Sequence, residues 1–190
     1  ATARTAAFMG REILERALGR RLGHLAEASP ADVAALGHDV LPDTLSGAEF
    51  AARHATIADP HSRIAPDRSY PVRAAATFAV EEHARATEAV RALREATDRC
   101  REDVLEAVGE SLLASHAGYT GIGLGCPETD AMVDAIRRLG PSRGVYGGRI
   151  SGGGSGGTVA VLLEEAALPD LLALADRMTA SRTGGVRIVR

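Results

Sequence analysis

The sequence predicts an α+β fold: helices packed on a small antiparallel sheet, with a helical extension at the N-terminal end. Apolar residues recur at three- and four-residue spacing through much of the chain before residue 140. Short β-type runs then flank a glycine-rich stretch, and another apolar helix follows. No repeat interrupts this order, in which helices come first and β–loop–β–α–β comes last.

Residues 4–27 carry Phe8, Met9, Ile13, Leu14, Leu18, Leu22 and Leu25, the stripe of an amphipathic helix. Ser29-Pro30 opens a second, short helix. The hydroxyl can accept from a first-turn amide, and the missing proline N–H is no loss there. Ser46-Gly47-Ala48-Glu49 has capping-box spacing ahead of Phe50. Pro60, Pro66 and Pro71 mark residues 55–72 as a long loop. Residues 73–98 are expected to begin as a strand or a helix and continue as a long Ala/Arg/Glu helix, and another helix is expected over 100–114 with Val104, Leu105, Val108, Leu112 and Leu113. Residues 115–126 are expected to form a Gly-spaced loop.

Pro127–Leu139 has the clearest helix signals. Glu128 and Asp130 sit in its first turn, Arg137 and Arg138 in its last, and Gly140-Pro141 closes it. Met132, Val133, Ile136 and Leu139 make its expected buried face. Strands are expected at Val145–Ser151 and Thr158–Leu163, a helix from about Leu168 to Met178, and a last strand at Val186–Val189. The chain is expected to comprise an extension over 1–70 and an α+β core over 71–190.

Composition excludes several chemistries. A net charge of −3 argues against a large nucleic-acid surface. All 22 basic residues are Arg, so no lysine can serve a Walker loop, a Schiff base or a general base. Cys100 and Cys126 form neither a disulfide framework nor a metal motif, and are expected as free thiols in a reducing cytoplasm. No apolar run approaches the ~20 residues a membrane span needs. His54 and His61 flank Asp59, where a metal is conceivable, but the histidines otherwise lack metal-ligand spacing.

Residues 147–158 contain seven glycines in twelve positions and no acidic side chain. Gly152-Gly153-Gly154-Ser155-Gly156-Gly157 satisfies G-x-G-x-x-G, but a strand follows where a dinucleotide fingerprint needs a helix. A loop that merely turns a hairpin is the plain alternative. Five glycines exceed what a turn requires, and they suggest that some group packs close to bare backbone. The second glycine loop, Gly121–Cys126, precedes a helix whose Glu128 and Asp130 would repel phosphate, so it reads as a helix entry. His116 reads as a hydrogen-bonded helix-end residue that could instead serve as a base. Asp130 reads as helix N-terminal charge that could instead bind a partner.

Val145–Leu162, with Gly-Gly-Arg-Ile-Ser-Gly-Gly-Gly-Ser-Gly-Gly-Thr at its centre, resembles the C-terminal glycine motif of the GHMP kinases, and most closely their galactokinase and L-arabinokinase branch. Two further segments add to the resemblance: Ser115-His116-Ala-Gly-Tyr119 with Gly123–Asp130, and Arg4-Thr-Ala-Ala-Phe-Met-Gly-Arg11. The resemblance implies a ferredoxin-like C-terminal domain and ATP-dependent phosphoryl transfer to a monosaccharide hydroxyl with Mg²⁺. It implies a partner N-terminal kinase domain, in the same or a separate chain. That domain would carry the catalytic Asp and a phosphate loop of the form Pro-x-x-x-Gly-Leu-Gly-Ser-Ser.

The Gly-Leu-Gly at 123–125 departs from that loop, with Tyr119 in place of Pro and Pro127-Glu128 where small hydroxyl residues belong. On this reading the chain is the C-terminal half of a sugar kinase, inactive alone, with Gly152, Gly153, Gly154, Ser155, Gly156 and Gly157 lining the cofactor cleft. Arg149 and Arg143 are nearby cations that could face phosphate. The surface a partner half would cover could also drive self-association. The competing expectation is a non-catalytic small-molecule or protein-binding module that has kept the fold.

Overall fold

The computed structural model describes residues 2–97, 99–153 and 156–179. Its elements form two compact units, one over residues 1–88 with 121–123, the other over 89–120 with 124–190. The expected strand Val186–Val189 lies outside the described residues.

In the first unit α1 spans Thr2–Leu18, α2 Pro30–Ala34 and α3 Gly47–Arg53. The strand pair β1 (Leu45–Ser46) and β2 (Ser69–Tyr70) is antiparallel. The first helix ends well before residue 27. Gly19 takes φ +63°, and the Arg20 amide turns back to the Glu15 carbonyl. Leu22 still fills the core from outside the helix, because its N–H is fixed by Glu15 Oε1 at 2.9 Å. Both expected N-caps form as full capping boxes, Ser29 with Asp32 and Ser46 with Glu49. The core gathers Met9, Leu14, Leu41, Phe50, Tyr70 and Val72.

The proline-marked loop is tied down by charge. Arg4 Nε and Nη2 donate to the two Asp59 oxygens at 2.8 and 2.9 Å, a bidentate pair. Ser62 Oγ also donates to Asp59, and the Ala65 N–H donates to Tyr70 Oη. These bonds account for both Asp59 oxygens, and His54 instead stacks on Phe50 at 4.6 Å. The Arg4 hydrogen bond, then that of Ser62, holds the Asp59 carboxyl well below the usual aspartate range.

α4 (Val72–Glu95) buries Val72, Ala75, Ala76 and Val80. In the second unit α5 spans Arg101–Gly121, α6 Pro127–Leu139 and α7 Leu168–Thr179. The hairpin strands are β3 (Val145–Ser151) and β4 (Thr158–Leu163), as expected. α6 forms with the expected bounds, and Gly140 closes it at φ +73°. Its Ala135 and Ile136 join Val145, Ala167, Leu171 and Leu174 in a second core, with Met132 and Leu139 packed at the edge. Among the described residues no helix is long and apolar enough to cross a membrane.

The expected loop at 115–126 is helical through Gly121. Ser115 and His116 are buried, so packing offsets the weak helix propensity of this Ser- and Gly-containing stretch. Gly109 makes the packing possible: a Cβ there would collide with the Tyr146 carbonyl, and a Cβ on Gly147 with the Gly109 carbonyl. The strand is pressed directly against the helix backbone.

Two outcomes follow from these contacts. Gly109→Ala is expected to lower stability by about 1–3 kcal/mol through overpacking. Gly121→Ala, with open space around it, is expected to be neutral or to stabilise by under about 1 kcal/mol. Chemical denaturation of both variants checks the contrast. The lowered Asp59 carboxyl gives a pH signature. The stability advantage over Asp59→Asn is expected in full above about pH 4, the ordinary aspartate range, and to shrink as pH falls below it. Denaturation curves of both proteins across that range measure it.

Candidate functional site

The glycine loop joins β3 to β4 in a hairpin with register Ile150↔Val159 and Ser151↔Thr158. Gly152, Gly156 and Gly157 adopt φ of +89°, +111° and +109°, the left-handed region that side chains disfavour. Gly153 has no such φ. A Cβ on Gly152, Gly153 or Gly157 would meet nothing within 4 Å. One on Gly156 would touch only Cys126 Sγ, at 3.5 Å. Gly154 and Ser155 lie outside the described residues.

Three elements hold the base of this loop. His116, buried in the middle of α5, accepts the Ile150 N–H at Nδ1 over 3.2 Å. That bond places the ring proton on Nε2, which lies 3.1 Å from Asp130 Oδ1 in the first turn of α6. The contact is one of charge and proton, not an aligned hydrogen bond. Thr120 Oγ1 donates to the same Asp130 oxygen at 3.2 Å. One turn beyond His116, Tyr119 Oη donates to the Gly152 carbonyl at 3.4 Å. The Arg149 guanidinium lies over the Tyr119 ring, 5.1 Å from its centre, while Nε donates to Ile150 O.

Cys126, the N-cap residue of α6, completes the floor. Its carbonyl accepts from Thr129 Oγ1 at 3.1 Å and from the Asp130 N–H at 2.9 Å. Arg143 is turned to Asp170 at 3.5 Å, an exposed pair. Of the sequence-singled residues, His116, Asp130, Arg149 and Gly152 therefore converge, while Arg143 has a different partner. Tyr119 and Thr120 went unread as site residues. Their signal was the helical spacing Gly109, His116, Tyr119 and Thr120, which shares a face only if the helix runs on past residue 114. Among the described residues no group of three His, Cys, Asp or Glu could hold a metal ion.

The hairpin, its glycine loop and the helices packed against its base define an α+β domain. The family described as GHMP kinases C terminal matches residues 89–178. L-arabinokinase of Arabidopsis thaliana is 33% identical over 147 residues, covering 74% of this chain and 14% of that protein. A galactokinase of Thermosipho africanus is 32% identical over 106 residues, 55% of this chain and 27% of that protein. The crystal structure of Lactococcus lactis galactokinase complexed with galactose superimposes with a TM-score of 0.59 at 18% identity, over 95% of this chain and 38% of that one. Residues 89–178 form a domain of the GHMP kinases C-terminal family, and the chain spans well under half the length of these relatives.

If His116 supports the strand, His116→Ala leaves the Ile150 N–H without its partner. A loss of about 1–3 kcal/mol is expected, with faster hydrogen exchange at the Ile150 amide. Asp130→Asn keeps the His116–Ile150 bond and is expected to cost under about 1 kcal/mol. Paired denaturation and exchange measurements separate the two.

Proposed function

We propose that this chain forms one wall of the phosphoryl-transfer cleft of an ATP-dependent sugar kinase of the galactokinase and arabinokinase type. The observation that carries this reading is Gly153. It has neither a left-handed φ nor a neighbour that excludes a side chain, so nothing within the described residues requires glycine there. A bare backbone braced at its base and open above suits close approach by another group. In this reading that group is the phosphate loop of an N-terminal kinase domain, with ATP beyond it. The motif Pro-x-x-x-Gly-Leu-Gly-Ser-Ser does not occur in these 190 residues.

In the reaction, a sugar hydroxyl oxygen bonds to the γ-phosphorus as the bond to the bridging oxygen breaks and ADP leaves. The hydroxyl proton passes to a carboxylate of the other domain. This chain's contribution is positioning. Residues 152–157 set the height of the cleft wall, while His116 and Tyr119 fix that wall to α5. Mg²⁺ would be held by the nucleotide and the other domain, since the described residues offer no acidic grouping for it. The setting proposed is cytoplasmic.

The 190-residue chain alone is expected to release no ADP from Mg–ATP with a panel of aldoses in a coupled assay. Turnover is expected once it is joined to, or mixed with, a domain carrying the phosphate loop. Turnover by the chain alone would contradict this reading. Gly153→Val is expected to leave stability within about 0.5 kcal/mol yet lower kcat/KM of the assembled kinase about ten- to a hundred-fold. Unchanged kinetics would instead favour a binding module that has kept the fold.

A further inference from the structure

The peptide between Gly152 and Gly153 opens the glycine loop, and it has a freedom that the rest of β3 lacks. Turning this plane over changes ψ of Gly152 and φ of Gly153, and neither residue has a Cβ to resist the rotation. Both residues are exposed, and a Cβ on either would meet nothing within 4 Å. Two opposed orientations of the plane are therefore close in energy until something holds one of them.

Tyr119 holds one. Its Oη donates to the Gly152 carbonyl at 3.4 Å. Arg149 of β3 covers the ring, with its guanidinium carbon 5.1 Å from the ring centre and its Nε tied to the Ile150 carbonyl. The Tyr119 bond is long, and by itself it is weak. A weak bond is enough here, because little else separates the two orientations. One hydrogen bond shifts such a pair about two- to ten-fold. The peptide is trans and planar, so its C=O and N–H point in opposite directions. With the carbonyl oxygen drawn to α5, the Gly153 N–H points away from α5.

We propose that Tyr119 is a positioning residue for phosphoryl transfer. It keeps the Gly152–Gly153 peptide turned so that the cleft wall presents an N–H, and not a carbonyl oxygen, to an oxygen acceptor. That acceptor is a main-chain carbonyl of the phosphate loop or a phosphoryl oxygen of ATP. A flipped peptide would set its own oxygen against either one, and the two oxygens would repel. The inference rests on the phosphoryl-transfer reading and adds to it the group that the wall presents and the side chain that selects it.

Tyr119→Phe removes the hydroxyl and keeps the ring, so a packing role alone predicts no effect. In the 190-residue chain this variant is expected to keep its Tm. Its NMR spectra are expected to show the Gly152 carbonyl carbon and the Gly153 amide shifted or broadened by exchange, with the Ile150 amide, held by His116, in place. For kinetics, the chain is joined to the portion of the Thermosipho africanus galactokinase that it does not match. There Tyr119→Phe is expected to lower kcat/KM with Mg–ATP about two- to ten-fold. A fall in kcat at constant KM assigns the acceptor to the transferring phosphoryl group, and a raised KM for ATP at constant kcat assigns it to the phosphate loop. Unmoved Gly152 and Gly153 signals, or an undiminished kcat/KM, would overturn this inference alone. A joined chain that keeps Tyr119 and gives no turnover would overturn the phosphoryl-transfer reading and this inference with it.

Discussion

The second unit depends on how closely helix α5 approaches strand β3. Gly109 and Gly147 meet backbone to backbone, and no residue with a side chain fits at either place. That approach brings His116 within reach of the Ile150 N–H and Tyr119 within reach of the Gly152 carbonyl. Asp130 then faces the far side of the imidazole from α6. A buried N–H and an imidazole thus link strand to helix where an unpaired group is costly, and the half-buried Asp130 carboxylate lies against the imidazole from the next helix. Remove the close approach and the links have nothing to span.

The glycines of this unit fall into distinct physical kinds. Gly109 and Gly147 are glycine because of what touches them. Gly152, Gly156 and Gly157 are glycine because of their backbone angles. Gly153 has neither reason among the described residues. An internal explanation therefore covers three of the four described loop glycines and leaves Gly153 as the remainder. The phosphoryl-transfer reading places its demand on that remainder, and the Gly109–Gly147 contact braces the strand that leads into the loop.

Much of the fold was legible because its signals were local. Pro127, the first-turn acids, the last-turn arginines and Gly140 bracket α6 without reference to anything else in the chain. The hairpin strands were equally clear. Two helix ends were not. The apolar spacing of α1 continues through Leu22 and Leu25, but Gly19 breaks the helix and Leu22 reaches the same core from a turn. α5 runs past residue 114 because burial of Ser115 and His116 outweighs local propensity. The site was legible in its glycines and less so in its support. The close backbone approach seen within this unit lies beneath the loop, and it was not legible, since Gly109 and Gly147 are 38 residues apart and their meeting is a tertiary event.

The central claim is that the glycine loop is a contact surface for a phosphate-loop domain. Amide hydrogen exchange across residues 152–157, with and without such a domain, addresses it most directly. The account expects protection to appear over these residues on addition of the domain, with the Ile150 amide already slow in its absence. Protection elsewhere on the chain, with residues 152–157 exchanging as freely as before, would contradict it.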